Sequence, residues 1–377
     1  MNRSGGLLGA IFRLLSRIDL VLFTALAILL SLGGLTLYSA SGADYVSGEN
    51  MFIITRHVIH LGLSAGIMLF AAQLPSSLLS RISVWIYIIG VILLVLVIIQ
   101  GTMGKGAQRW LELGSFRFQP AEIMKLAVPM MVASYFSHKT LPPRFIDILV
   151  AAILVAVPMA LIIKQPDLGT ALLIGSAGFF VIYFAGIPWK WLIGMFISVL
   201  IAAPLVYQFG MHPYQRQRVD TLLDPSLDRL GSGYHIYQST IAIGSGGVYG
   251  KGWLNGDQSR LDFLPERHTD FIFAVFGEEF GLFGNLVLLM IYLFIIWRAL
   301  ILATKGQDTF SRLLGGSLAL TFFVYLFVNT GMVSGILPVV GVPLPLVSYG
   351  GTSMVTLMAA FGLLMGLQKR KKGYGSM

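Results

Sequence analysis

The chain of 377 residues contains no cysteine and few charged residues. Without cysteine it can form neither a disulfide framework nor a thiolate metal site, and it has no cysteine nucleophile. Only 11% of the residues are charged, whereas 56% are hydrophobic. A soluble domain of this length could not bury so much apolar surface in one core, so the composition predicts a membrane protein.

Several signatures of soluble enzymes are also missing. The sequence has no HExxH pair, no glycine-rich phosphate loop and no nucleophile elbow, so nucleotide-driven chemistry has no support. No carboxylate spacing is diagnostic of a metal site, and participation of a divalent cation stays open. The net charge of +9 does not predict nucleic-acid binding, because the basic residues are dispersed among short loops.

The apolar runs predict an all-α protein with ten transmembrane helices. Several runs reach the roughly 18 residues needed to cross about 30 Å of hydrocarbon. The apolar stretch that follows the basic N-terminal segment is too long for a signal peptide, which predicts a retained first span. The predicted spans are 19–41, 53–73, 83–101, 119–137, 146–164, 168–186, 188–209, 271–299, 312–333 and 350–368.

The distribution of basic residues predicts the orientation. Arg3, Arg13 and Arg17 precede the first span and residues 369–372 are all basic, so the positive-inside rule places both termini in the cytoplasm. We expect a single membrane domain over 1–377 in the cytoplasmic (inner) membrane. Its predicted parts outside the bilayer are a cytoplasmic N-terminus at 1–18, outer loops at 101–118 and 210–270, and a cytoplasmic basic tail at 369–377.

Two long stretches do not read as ordinary spans or linkers. Residues 210–270 interleave aromatic and aliphatic residues with charge, which predicts short amphipathic helices lying against the membrane. Residues 331–351 mix glycine and proline with apolar residues at membrane depth. Irregular backbone is tolerated there only where it is buried in protein or lines a cavity.

Ionisable residues within spans are costly, so they point to a polar cavity. Glu122 and Lys125 are three residues apart and share one helix face, where they could form a structural ion pair or a functional one. Asp167 follows Pro166 at the start of a span. Its two alternatives are an ordinary N-cap and a functional carboxylate.

The segment just before the eighth span carries the most candidate chemistry. Glu266, His268 and Asp270 lie beside Arg267 immediately before an apolar helix. Thr269 or Asp270 could simply cap that helix. A partly desolvated carboxylate at a membrane-facing cleft could instead act as a general base toward a hydroxyl, which favours Asp270 as the catalytic residue. A lone interfacial histidine is more often structural, so His268 ranks below it.

Basic side chains on the predicted outer face indicate an anionic ligand. Arginine guanidinium groups suit phosphate oxygens, although interfacial arginines also anchor lipid headgroups beside aromatic residues such as Trp110 and Tyr214. Together with the candidate base, these cations predict a site for a diphosphate-bearing lipid and its sugar. The cations are Lys105, Arg109, Arg117, Arg216 and Arg218.

Several long motifs occur in an order that resembles the SEDS family (shape, elongation, division and sporulation). The resemblance covers nearly the whole chain, and two of the motifs are more similar to the elongation branch than to the division branch. Those two are YQRQRV and VSGILPVVGVPLPLVSYGG; the others are KGAQRWLELGSFRFQPAEIMKLAVP, QPDLGTA, GYHIYQSTIAIGSGGVYGKGW and FLPERHTDFIFAVFGEE.

The resemblance implies a peptidoglycan glycosyltransferase that polymerises lipid II into glycan strands on the outer face of the membrane. It also implies that the protein has a class B penicillin-binding transpeptidase and other proteins of the elongation machinery as partners. The family's essential aspartate corresponds to Asp270. Its cavity-lining positions correspond to Arg109, Trp110, Glu122, Lys125 and Asp167.

From this we expect Asp270 to take the proton from an acceptor hydroxyl while cations stabilise the departing diphosphate. Two alternatives stay open. Broken helices and charges at membrane depth also mark transporters, so a flippase for the lipid-linked precursor is one. A non-catalytic scaffold of the elongation machinery is the other.

Overall fold

A computed structural model describes residues 17–42, 48–104, 107–113, 116–211, 213–224, 228, 231–261, 263–264 and 266–368. Most of the predicted N-terminal segment and all of the predicted basic tail lie outside the described residues, as does Lys105.

Ten apolar helices correspond one by one to the predicted spans. Seven of them are long and apolar enough to cross a membrane by themselves. Of the others, α4 carries the charged pair Glu122 and Lys125, and α6 and α13 are shorter. The ten are α1 (Leu20–Ala40), α2 (Gly48–Ala71), α3 (Ser76–Gln100), α4 (Pro120–Ser137), α5 (Phe145–Lys164), α6 (Leu168–Phe184), α7 (Trp189–Leu205, continued by a π-helical turn Val206–Gly210), α11 (Ile272–Thr304), α12 (Thr309–Val333) and α13 (Gly351–Gly366).

Aspartates mark the start of three of these helices. Asp19 accepts a hydrogen bond from the Leu22 amide at 2.9 Å, and Asp308 accepts one from the Ser311 amide at 2.7 Å. The carboxylate of Asp167 caps α6 in the same way by accepting from the Thr170 amide, which confirms the N-cap alternative and leaves a functional role for this carboxylate a prediction. These caps satisfy amide groups that have no partner within the first turn.

The described parts of the two predicted outer segments contain secondary structure. The first contains a three-stranded antiparallel sheet of β1 (Thr102–Gly104), β2 (Ala107–Leu113) and β3 (Phe116–Phe118). The prediction of a loop there is therefore incomplete. The long segment before α11 contains α8 (Pro213–Leu223), α9 (Ser232–Ser245) and α10 (Asp257–Arg260), as expected for short helices.

Hydrogen bonds between the connecting segments show which of these segments lie at the same end of the helix bundle. At the Asp19 end, Ser76 bonds Asp308 and Gln307 bonds the Gln368 carbonyl. At the Asp270 end, the Arg267 guanidinium bonds the carbonyl of Ala40, the last residue of α1. The sheet, α8 to α10 and the irregular segment 334–350 all follow or precede helices at the Asp270 end.

The helices differ strongly in how much protein surrounds them. Helix α12 is central, since it packs against α11, α6, α4 and α13 and most of its residues are buried. Helix α7 has no buried residue and lies at the periphery. Lipid is as apolar as these side chains, so the exposed face of α7 carries no solvation cost in a bilayer.

Helix α11 is broken near its start, and a loop of the preceding segment repairs the break. Gly281 has φ 66° and ψ −165°, a conformation open essentially only to glycine. The amides of Lys251 and Gly252 bond the carbonyls of Glu278 and Glu279, and the amides of Leu282 and Phe283 bond the carbonyls of Gly247 and Val248, all between 2.9 and 3.0 Å. Backbone groups freed by the break are thus satisfied within the protein.

Candidate active site

The backbone around Asp270 is held by three consecutive hydrogen bonds. The Tyr349 amide donates to the His268 carbonyl at 2.8 Å, and the Ser348 hydroxyl donates to the Thr269 carbonyl. The carbonyl of Asp270 itself accepts from the Asn329 side-chain amide at 2.8 Å. Residues 268–270 are therefore fixed against α12 and the irregular segment 334–350.

The carboxylate of Asp270 lies against the irregular segment. A Cβ built on Gly341 would lie only 3.6 Å from Asp270 Oδ2, and Gly341 has a positive φ of 73°. A Cβ at that distance would make an ordinary van der Waals contact, so it is the positive φ that favours glycine here. Within the predicted irregular segment, Val342 and residues 344–348 are buried, whereas Ile336 and Gly341 are exposed, so the segment is buried in protein only in part and lies beside the candidate site at Gly341.

Asp270 is not the cap of the following helix. Helix α11 begins at Ile272, its N-cap position is Phe271, and no side chain makes a capping bond there. Thr269 is not the cap either, since its hydroxyl bonds Glu266 Oε2 at 2.9 Å. Capping therefore does not explain Asp270, whose side chain is half-buried.

The neighbours of Asp270 set its electrostatic surroundings. Burial and, to a smaller extent, the nearby Arg267 charge together lower the pKa of His268 to about 4, so the imidazole is neutral at neutral pH. Burial also lowers the pKa of His235, whose ring stacks on Phe271 at 5.5 Å. A neutral His268 is a weak base, which favours the ranking of Asp270 above it.

A second group of predicted residues gathers at the start of α6. The Arg109 guanidinium on β2 bonds the Pro166 carbonyl, and its Nε lies 3.7 Å from Asp167 Oδ2. The same carboxylate oxygen accepts from Gln119 Nε2 at 3.0 Å. Trp110 follows Arg109 on β2, where it pairs with Thr102. Asp167 is thus both a helix cap and the centre of a polar cluster.

Glu122 and Lys125 form the buried ion pair that their spacing predicts. Lys125 Nζ lies 2.7 Å from Glu122 Oε1, and the same ammonium sits 5.2 Å from the centre of the Tyr325 ring on α12. Glu122 Oε2 is buried and has no hydrogen-bond partner among the described residues. A buried charge pair with an unsatisfied oxygen is a costly arrangement, which is typical of functional cavities.

The irregular segment joins the two groups. A Cβ on Gly169, near the start of α6, would lie 2.8 Å from the Val340 carbonyl and 2.8 Å from a Val342 methyl. Asp270 approaches the same stretch at Gly341. The start of α6, which carries the Asp167 cluster, and Asp270 therefore both lie next to residues 340–342.

The remaining predicted cations occupy other places. Arg216 on α8 bonds the Gln208 carbonyl at the end of α7, and Arg218 is half-buried on the same helix. Arg117 is exposed on β3, where its Nε bonds Glu112 at 2.9 Å. The binding roles of Arg216, Arg218 and Glu266 stay predictions. Among the described residues no group of three or more His, Cys, Asp or Glu is placed to hold a metal ion.

Three contributors to the site were not predicted from the sequence. They are Asn329, Ser348 and the loop 247–252 that fills the break in α11. Asn329 is fully buried within an apolar helix, and a polar residue inside a span is a signal that could have identified it. Its partners are 59 and 13 residues away in the sequence, so the contacts themselves could not be predicted.

The sequence was compared with protein families and with known proteins. The family described as cell cycle protein (FtsW, RodA and SpoVE) matches residues 19–373. The chain is 51% identical over 346 residues to the peptidoglycan glycosyltransferase MrdB of Escherichia coli strain K12, covering 91% of this chain and 93% of that protein. It is 35% identical over 367 residues to the probable peptidoglycan glycosyltransferase FtsW of Idiomarina loihiensis, covering 95% and 88%.

Solved structures show the same fold. A chain from a peptidoglycan synthase complex, studied for the structural coordination of polymerization and crosslinking, superposes with a TM-score of 0.78 at 30% identity, covering 92% of this chain and 96% of that one. The crystal structure of the rod shape determining protein RodA from Thermus thermophilus gives a TM-score of 0.68 at 28% identity, covering 92% and 95%. The predicted SEDS-type helical membrane fold is confirmed.

Proposed function

The chain belongs to the FtsW, RodA and SpoVE family of cell cycle proteins and is a multi-pass membrane peptidoglycan glycosyltransferase, and we propose that it polymerises lipid II during cell elongation with Asp270 as general base. The fixed position of Asp270 carries this proposal. Three backbone bonds hold residues 268–270, and general bases act only from a position within hydrogen-bond reach of the proton they remove.

The proposed reaction is a single displacement with inversion. The 4-hydroxyl oxygen of the acceptor sugar attacks the anomeric carbon of the donor, and its proton passes to the Asp270 carboxylate. The bond between the anomeric carbon and the diphosphate oxygen breaks, and the diphosphate leaves with the electron pair. An α-linked donor then gives a β-1,4 bond. Preorganised cations stabilise the negative charge that develops on the leaving group.

The polar cluster around Asp167, which lies next to residues 340–342 as Asp270 does, and the buried Glu122–Lys125 pair support roles in binding. We assign substrate positioning to Arg109 and Trp110 on β2, to the Glu122–Lys125 pair and to Asp167, with Arg216, Arg218, Glu266 and His268 as further candidates. Asp167 orients Arg109 through their 3.7 Å contact, so the guanidinium is held in place before substrate arrives. Preorganisation of this kind lowers the barrier without a reorganisation cost in the transition state.

Substitution of Asp270 tests the proposed base. Purified Asp270→Asn, assayed on lipid II together with its partner transpeptidase, should lose polymerisation by about a hundredfold or more and keep lipid II binding. Asp257→Asn is the matched control, because Asp257 is an exposed carboxylate of the same long segment. Undiminished polymer from Asp270→Asn would reject the assignment. Translocation of lipid II without polymer in vesicles would favour the transporter alternative.

We further propose that the Asp270 end faces the outside of the cytoplasmic membrane and that both termini are cytoplasmic. There the enzyme would meet a class B penicillin-binding transpeptidase and other elongation proteins, as its relative in a synthase complex supports. The absence of cysteine makes a labelling test simple. In intact cells a membrane-impermeant maleimide should label Arg117→Cys on β3, whereas Lys139→Cys should react only after permeabilisation. The reverse pattern would overturn the orientation.

A further inference from the structure

A long groove runs between α1, α2 and α13 at membrane depth. Its volume is about 410 Å³ and its walls are almost entirely apolar. The groove extends along α1 from Phe23 to Tyr38, which are 15 residues apart and therefore about 22 Å apart along the helix axis. Ala65 lies toward the Phe23 end and His57 toward the Tyr38 end, so the groove runs from deep in the bundle toward the Asp270 end.

Three polar side chains, Ser31, Tyr38 and His57, line the otherwise apolar groove. His57 is 5% exposed, and its Nε2 is buried with no hydrogen-bond partner among the described residues. The ring lies 6.3 Å from the Tyr349 ring, and the Tyr349 amide is bonded to the His268 carbonyl. A buried ring nitrogen without a partner costs free energy unless a ligand or water satisfies it, so His57 points to a polar group in the groove.

A cation stands at the same end of the groove. The half-buried Arg267, three residues before Asp270, donates to the Ala40 carbonyl at 2.7 Å. Ala40 is two residues beyond Tyr38. Tyr38 stacks on Trp253 at 5.8 Å, and Trp253 Nε1 donates to the Leu35 carbonyl at 3.2 Å. An apolar channel, an aromatic pair at its mouth and a guanidinium above them match a lipid with a long apolar chain and an anionic head.

We propose that this groove holds the polyprenyl chain of the donor substrate, with Arg267 and His57 contacting its diphosphate. The proposal rests on the proposed function. In the donor the diphosphate is attached directly to the anomeric carbon that reacts, whereas the acceptor hydroxyl is a disaccharide away from its own diphosphate. The diphosphate next to Asp270 is therefore that of the donor. When the bond between the sugar and the diphosphate breaks, the polyprenyl diphosphate takes the electron pair of that bond and remains in the groove.

The groove acts by orientation, not by the hydrophobic effect. A polyprenyl chain is as well solvated by lipid as by the groove walls, so burial alone gives little net affinity. A chain held along α1 instead fixes the direction from which the diphosphate approaches Asp270. A displacement of about 1 Å at a reacting centre can cost on the order of a hundredfold in rate, so blocking the groove should affect catalysis on long-chain substrates.

Glycine substitutions test the groove with a matched control. Gly34 lines the groove and a Cβ there meets nothing within 4 Å, so Gly34→Phe fills the space. Gly62 on α2 is equally open but is not part of the lining. In the complex with the transpeptidase, Gly34→Phe should lower kcat/KM for lipid II by about tenfold and Gly62→Phe should leave it unchanged. Equal values for the two variants would overturn the proposal.

The length of the substrate's polyprenyl chain provides an independent test, which can be used even if the Gly34→Phe variant does not fold. Ala65→Phe narrows the deep end of the groove, about 12 Å below His57 along α2. It should impair lipid II with its full chain and spare an analogue whose chain ends above Ala65. Equal impairment of both substrates would reject the groove as the chain site.

Photo-crosslinking separates a polyprenyl chain from bulk lipid. A polyprenyl diphosphate with a terminal diazirine should label α1 and α2, and excess unlabelled polyprenyl diphosphate should suppress the labelling. Labelling by a diazirine phospholipid that polyprenyl diphosphate does not suppress would assign the groove to ordinary lipid and overturn the proposal. Arg267→Gln should weaken the labelling by several-fold and Arg267→Lys should restore part of it.

The same assay distinguishes failure of this proposal from failure of the proposed function. Asp270→Asn should make no polymer and still be labelled. Polymer from Asp270→Asn would reject the general base, whatever the labelling shows. An inactive Asp270→Asn protein that polyprenyl diphosphate does not label would reject the groove alone.

Discussion

The side-chain amide of Asn329 donates to the Asp270 carbonyl at 2.8 Å and to the Val342 carbonyl at 2.7 Å. One buried residue of the central helix α12 thereby connects the segment that carries the candidate base to the irregular segment beside it. The bond to Val342 is buried and the bond to Asp270 is partly buried, so the loss of a donor would cost up to about 1–3 kcal/mol at the Val342 carbonyl and less at the Asp270 carbonyl. Asn329 therefore positions Asp270 without contacting the substrate.

Removal of this amide should separate positioning from binding. Asn329→Ala should lower kcat about tenfold or more, with a smaller change in KM, because Asp270 loses its position and not its charge. We expect a decrease in thermal stability as well. The readout is lipid II polymerisation kinetics of the complex. Thr330→Val is the control, since the Thr330 hydroxyl bonds only within its own helix, and an Asn329→Ala variant with normal kcat would contradict the role.

Lys251 forms two ion pairs beside the break in α11, and the one with Glu278 should contribute more to the free energy of unfolding than the one with Asp257. Lys251 Nζ lies 2.8 Å from the fully buried Glu278 and 2.8 Å from the exposed Asp257. Burial alone would lower the pKa of Lys251, but its bonds to Asp257 and Glu278 raise it. Lys251→Met leaves Glu278 as an unpaired buried charge and should cost roughly 2–3 kcal/mol, whereas Asp257→Asn should cost less than about 1 kcal/mol.

Thermal unfolding of the purified variants checks this difference. Addition of Glu278→Gln to Lys251→Met should recover part of the lost stability, because the uncompensated charge is then gone. A double variant that is less stable than Lys251→Met alone would show that Glu278 stabilises the protein through contacts other than this pair.

Local spacing allowed part of the site to be predicted, and long-range contacts account for the rest. Glu122 and Lys125 meet because three residues make nearly one helical turn, and Asp167 caps the helix it begins. The partners of Asp270 come from α12 and the irregular segment, which no local pattern connects. Strands β2 and β3 could have been predicted from the sequence. Apolar and charged residues alternate in Leu111–Glu112–Leu113 and in Phe116–Arg117–Phe118, and the Gly-Ser between them is typical of a hairpin turn.

Stability should depend on pH through His268. In the fold its pKa is about 4, against 6.5 for an unperturbed histidine. Between these values the unfolded chain binds a proton that the folded chain does not, so stability should fall as the pH drops from about 6.5 to about 4 and change little from this group below that. Melting temperatures across this range check the prediction. His268→Gln should flatten the dependence, and an unchanged slope would assign it to other groups.

The break at Gly281 should tolerate no side chain. A Cβ on Gly281 would lie 2.3 Å from the Gly250 amide nitrogen and 2.7 Å from the Val248 carbonyl oxygen, both backbone atoms of the loop that repairs α11. The residue also has a positive φ that strains any side chain. Gly281→Ala should therefore push the loop 247–252 away and release the short half-helix that follows Asp270. We expect a loss of several kcal/mol or failure to assemble. Gly244→Ala, at a position on α9 with open space, should behave like the unaltered protein. A Gly281→Ala enzyme with normal stability and normal polymerisation would show that the loop and the broken helix are not coupled to Asp270.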